Sequence, residues 1–156
     1  MRGAVARDAV LRVVNFPRAK GLQNVNSFEG RLTSLAPYFL ALLRVMTALL
    51  FLSHGTMKLL GFPASDFQPP LFSLLGLAGV IEIVTGILIV LGFLTRPAAF
   101  IASGTMAVAY FMAHAGQAFV PAQNGGEAAV LFCFIFLYLV FSGPGAFALD
   151  NSRKGA

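Results

Sequence analysis

Residues 35–60 read LAPYFLALLRVMTALLFLSHGTMKLL, and residues 71–94 read LFSLLGLAGVIEIVTGILIVLGFL. At a rise of about 1.5 Å per helical residue, each stretch is long enough to cross a hydrocarbon core about 30 Å thick. Between them, GFPASDFQPP places Pro63, Pro69 and Pro70, which end one helix and turn the chain before the next. Two more apolar stretches follow, at about 97–117 and 125–142. TRP at 95–97 turns the chain into the first of these, and FVPAQNGG at 119–126 separates the two. Short links between consecutive helices make them antiparallel neighbours. The predicted fold is therefore all-α: an integral membrane four-helix up-down bundle over residues 35–150.

Composition agrees with that reading. Of 156 residues 58% are hydrophobic and only 11% charged, and the mean hydropathy is +0.81, far from the balance of a soluble domain. The single cysteine, Cys133 in VLFCFIFLYL, excludes an intrachain disulfide and CxxC dithiol chemistry, and reads as a small apolar packing residue. Ala99, Ser103 and Ala107 recur at four-residue spacing, and Gly79, Gly86 and Gly92 thin one side of the second span. Such small residues let helices approach closely, within one chain or between the chains of a homo-oligomer.

The net charge of +5 is unevenly placed. Arg2, Arg7, Arg12, Arg18, Lys20 and Arg31 precede the first span without the apolar core or cleavage site of a signal peptide. Residues 1–34 read as a flexible basic arm attracted to anionic membrane lipid, and residues 151–156 as a short basic tail. No aromatic interleaving accompanies these charges, so nucleic acid is not an expected partner. Arg96, Arg153 and Lys154 complete a pattern that puts both termini in the cytoplasm, because basic residues collect on that side. Lys58 is the exception at the outer end of the first span, where its stem can snorkel to the interface.

Ionisable groups inside apolar spans are costly, about 2.5–3.5 kcal/mol for Arg, Lys or Asp at mid-membrane, so each calls for an explanation. Arg44 falls about 12 Å inside the cytoplasmic face and Glu82 about 16 Å from the outer face. Their similar depth predicts an Arg44–Glu82 pair, either flanking a site or fixing helix register. His54 and Lys58 project about 40° apart around the helix axis, with Arg44 about 80° from His54, so one side of the first span carries all three. His54 and Lys58, with His114 and Glu127, form an expected outer cluster above Glu82. Tyr110 and His114 share a helix face with Ser103 and extend the polar stripe.

Simpler explanations stand beside these. His54 as a neutral imidazole bonded to a backbone carbonyl, and His114 as an interfacial residue in contact with headgroups, both stay open. NGGE at 124–127 has the form of a capping box, with Asn124 as N-cap and Glu127 bonding back to it. Two histidines are too few for a convincing metal site, although His54, His114 and Glu127 would supply three ligands.

Arg44 followed by HGxxK at 54–58, GxxE at 79–82, LGFLTRP at 91–97, NGGE at 124–127, and GPG followed by LD at 143–150 form a combination that resembles the DoxX family of small bacterial inner-membrane proteins. The likeness runs over about residues 36–150, with Ala148 where relatives often carry a serine. It implies a four-span fold, an inner-membrane location, and association with quinone-linked respiratory or thiosulfate-oxidising complexes. On that expectation the chain is an oxidoreductase subunit working with quinone and a redox partner. His54 would bond a quinone carbonyl, Glu82 would relay a proton, and Arg44 and Lys58 would stabilise the developing anion. His114, Glu127 and Tyr110 would complete the ligand site. No Rossmann loop, phosphate loop or iron–sulfur cysteine set is present, so any redox group comes from outside the covalent chain. A membrane assembly, stress-response or ligand-binding module without catalysis is the alternative.

Overall fold

A computed structural model of the chain describes residues 20–65 and 68–152, with side chains from Phe28 onward. Residues 1–19 and 153–156, which hold most of the expected basic arm and tail, lie outside the described residues. The described residues form four long helices, α1 Lys20–Leu60, α2 Leu74–Leu91, α3 Thr95–Ala113 and α5 Glu127–Ser142, with single turns α4 Pro121–Asn124 and α6 Leu149–Ser152. No strand occurs among the described residues. The chain divides into two compact units after Leu35. Residues 20–34, expected within the arm, belong to α1. The core and polar groups described below all lie in Ala36–Ala156.

Local chemistry sets the helix ends. Ser73 caps α2, its hydroxyl accepting from the Gly76 N–H at 3.1 Å. At the other end Gly92, in the left-handed region at φ 66°, lets the Gly92 and Phe93 amides close on the Ile89 and Leu88 carbonyls. α3 starts at Thr95 without a side-chain cap of its own, and the Asp150 carboxylate supplies one from the far end of the chain. Its two oxygens accept from Leu94 N–H at 2.8 Å and Thr95 N–H at 2.9 Å. Arg96 in turn donates to the Val140 and Phe141 carbonyls at the end of α5.

Residues of all four long helices meet in one core: Ala48 and Phe51 of α1, Ile89 of α2, Ala99 and Ala102 of α3, and Phe136 and Leu139 of α5 among them. α3 lies against both α2 and α5. Ser103, on the small-residue stripe, donates to the Cys133 carbonyl at 2.9 Å and ties α3 to α5. Phe51 meets Phe136 edge-on with ring centroids 4.8 Å apart.

The distribution of polarity is the reverse of a soluble domain's. Arg44, Glu82, Thr85, Thr95 and Ser103 are buried, whereas Phe39, Leu42, Met46, Leu50, Phe100 and Phe134 are exposed. An exposed apolar surface of that extent suits hydrocarbon rather than water. Phe28–Leu60 and Leu74–Leu91 are each long and apolar enough to cross a membrane, and Glu127–Ser142 is a shorter apolar helix.

Candidate functional site

The site begins with a close approach of backbones. A Cβ on Gly55 would sit 2.9 Å from the Gly79 carbonyl oxygen and 2.8 Å from the Ile83 side chain, so glycine at 55 lets α1 lie directly on α2. One turn further along α1, Lys58 Nζ then reaches Glu82 Oε1 at 2.5 Å. Glu82 is 1% exposed and the Lys58 side chain 20% exposed. The second carboxylate oxygen, Oε2, is buried and has no hydrogen-bond partner among the described residues. A charged acceptor left in that condition is costly, so its retention in an apolar wall is the most informative feature of the unit.

That wall belongs to a groove of about 600 Å³ between α2 and α3. Ile81 and Glu82 line one side, Gly104, Thr105 and Val108 the other, and Lys58 the end next to the carboxylate. Gly104 opens the groove: a Cβ added there would meet nothing within 4 Å. The lining is mostly apolar with a few polar groups, the usual make-up of a small-molecule site.

The other expected residues divide between two places. His54 was expected on the inward stripe with Lys58 but is exposed. Gly55 takes the position that faces α2, which turns His54 toward α5. There its ring packs edge-on against Phe132, centroids 5.9 Å apart, within electrostatic reach of Glu82. Tyr110 and His114 stack with centroids 6.3 Å apart, and His114 Nδ1 lies 2.9 Å from the Asn124 carbonyl oxygen. Asn124 donates to Tyr110 Oη at 3.3 Å and to the Ala118 carbonyl at 2.8 Å. This second group closes the loop between α3 and α5. Glu127 stands exposed at the first turn of α5, where its charge favours the helix N-terminus. Among the described residues His54, His114 and Glu127 do not assemble into a metal-binding group.

Two further expectations need correction. The capping box does not form: Gly126 is the N-cap of α5, and Asn124 instead accepts from the Gly126 N–H at 2.8 Å, because the left-handed Gly125 ends α4 between them. The Arg44–Glu82 pair does not form either. Arg44, 1% exposed, donates to the Pro144 carbonyl, to Ala146 O at 3.3 Å and to Phe147 O at 3.1 Å. The positive φ angles of Gly143 (83°) and Gly145 (72°) fold residues 143–147 so that these carbonyls point at one guanidinium. The amide of Ala146 also donates to the Pro37 carbonyl at 2.9 Å.

Asp150 and Arg96 were missed as candidates. Each caps a helix distant in sequence, and only their place in the LD and TRP motifs marked them.

A profile of the DoxX family matches residues 39–115. An uncharacterized protein of Haemophilus influenzae (strain Rd) is 51% identical, covering 78% of this chain and 96% of the relative. Inner membrane protein YphA of Escherichia coli K12 is 32% identical, covering 74% of this chain and 90% of the relative. The chain belongs to the DoxX family. No solved structure matches. The DoxX match takes in Arg44, His54, Lys58, Glu82, Tyr110 and His114, and it stops short of Glu127 and the Arg44-binding segment 143–150. The whole of the α2–α3 groove therefore falls within the part of the chain that the DoxX profile describes.

Proposed function

We propose that this DoxX-family chain is a multi-pass inner-membrane protein in which α1, α2, α3 and α5 form an antiparallel four-helix bundle with both termini cytoplasmic. The YphA relative, the two spanning-length helices and the placement of the basic residues support that reading. Cysteines placed at Ser65 and Gln123 on a Cys133→Ala background are expected to react with impermeant reagents from the outer side alone. Labelling of both only from the cytoplasm would overturn the topology.

Within that bundle the chain serves as a quinone-linked oxidoreductase subunit with a redox partner of sulfur or respiratory metabolism. The observation that carries the reading is Glu82, a carboxylate buried on the wall of an apolar groove with one oxygen on Lys58 and the other unpartnered. A quinone, when bound, supplies two-electron, two-proton carrier chemistry, and the partner exchanges the electrons. The protein's residues handle binding and protons. The apolar lining takes the ring and tail, Lys58 stabilises negative charge at the head, and Glu82 holds or passes a proton, with exposed His54 as its link to the surface. Arg44 belongs to the scaffold rather than to this chemistry.

The test is quinone turnover in membranes carrying the chain and its partner. His54→Ala is expected to slow turnover severalfold and Glu82→Gln by about 10²-fold, within the usual range for loss of a proton-transfer group. Unchanged turnover in both variants would remove the site. One observation favours a non-catalytic ligand-binding or assembly module instead: Lys58 and Glu82 already bond each other, as a structural pair fixing helix register does. Under that reading His54→Gln leaves the cellular phenotype intact.

A further inference from the structure

Lys58 Nζ carries three N–H donors, of which Glu82 Oε1 takes one, so the lysine can still donate to a molecule in the groove. Glu82 differs. In the ionised form that its pairing with Lys58 favours, Glu82 only accepts, and its Oε2 has nothing to accept from. The complement to this polar end is a head that accepts from Lys58 and donates to Glu82. A hydroxyl does both. A quinone carbonyl does only the first and would leave Oε2 bare, at the cost that attends any unsatisfied buried acceptor. A phosphate or carboxylate head would set a second negative charge against Glu82 in a low-dielectric wall. The remainder of the lining, with Ile81, Val108 and Met112, suits an uncharged apolar body and tail.

We propose that the α2–α3 groove recognises an uncharged lipophilic molecule through a phenolic hydroxyl that donates to Glu82, and so selects the quinol over the quinone. This rests on the quinone-linked reading above and adds to it which redox form is held. Sites built to hydrogen-bond a hydroxyl discriminate strongly against analogues that lack it, because the buried protein group is then left unpaired.

The test is equilibrium binding to the full chain in lipid nanodiscs under anaerobic conditions. The probes are an alkyl hydroquinone, the matching benzoquinone, and the matching dimethyl ether, which keeps the shape and loses both donors. The hydroquinone is expected to bind at least about tenfold more tightly than either of the others. Glu82→Gln, whose amide both donates and accepts, should bring the three affinities together. Gly104→Leu, at a position where an added Cβ meets nothing, should fill the groove and abolish binding with the thermal transition retained.

Benzoquinone binding as tightly as hydroquinone, or a preference that survives Glu82→Gln, would overturn the selectivity and leave the quinone-linked reading standing. Failure of both redox forms to bind would remove that reading as well. Displacement of hydroquinone by an equal concentration of dioleoylglycerol would assign the groove to a hydroxyl-bearing lipid and overturn the quinol assignment. If Glu82→Gln does not fold, the ether and quinone comparisons on the unaltered chain and the Gly104→Leu variant decide the question.

Discussion

Glu82→Leu is expected to destabilise the protein by about 3 kcal/mol, the low end of the range for removing one partner of a buried ion pair. The reason is the charge left behind. Lys58 would keep its ammonium next to an apolar wall, with only its 20% exposure as an outlet. Its stem lets it snorkel part of the way toward the interface, which places the cost at the low end. The double variant Lys58→Met, Glu82→Leu removes both charges and fills the same space, and is expected to recover most of the loss, as replacement of buried pairs by apolar residues often does. The measurement is unfolding free energy in bicelles for the two single variants and the double. A double variant as unstable as Glu82→Leu alone would show that the carboxylate stabilises by packing or backbone contact rather than by pairing. Glu82→Gln keeps an acceptor for Lys58 and should fall between Glu82→Leu and the parent chain, which separates loss of function from loss of fold in the turnover assay.

Much of the helix plan was legible because it rests on local signals. The stretches at 35–60, 71–94, about 97–117 and 125–142 contain the apolar parts of α1, α2, α3 and α5, and Pro63, Pro69, Pro70, Pro97 and Pro121 mark the interruptions. The polar partners were less legible, since depth counted from the ends of apolar stretches does not fix how two helices register against each other. Arg44 and Glu82 were expected at one depth, yet Arg44 lies beside Gly92, ten residues beyond Glu82 along α2, so which neighbour each meets depends on the register of α1 against α2 and on where the chain returns. Gly55 and Gly79 set the first of these by bringing α1 onto α2 at the level of Lys58. The second depends on residues 143–150, a hundred positions from Arg44, whose carbonyls carry no side-chain signature at all. NGGE failed for a related reason: the pattern of a capping box was present, but a glycine at φ 69° broke the register between its two ends. The groove was invisible to pattern reading because it is defined by what is missing at Gly104 as much as by what is present.

Arg44→Met is expected to cost at least about 3 kcal/mol, because three backbone carbonyls lose a charged donor and hydrogen bonds to charged groups contribute about 1.5–3 kcal/mol each. Methionine replaces the length of the side chain and none of its N–H groups, so the Pro144, Ala146 and Phe147 oxygens would be left facing an apolar stem. The consequence should reach beyond segment 143–147. Asp150 stands three residues past Phe147 and caps α3 through Leu94 and Thr95, so a closing segment released from Arg44 also frees the start of α3. Arg44→Lys should recover only part of the loss, since an ammonium is a point donor and lacks the planar fork that spans separated carbonyls. A cysteine at Ala146, on the Cys133→Ala background, reports the event directly. With Arg44 in place it should label slowly, because the Ala146 amide is bonded to Pro37 and its carbonyl to Arg44. With Arg44→Met it should label at least tenfold faster while the labelling of cysteines at Ser65 and Gln123 stays as it was. Equal labelling rates with and without Arg44 would mean that the Pro37 and Asp150 contacts hold the segment unaided, and that the buried arginine needs another cause.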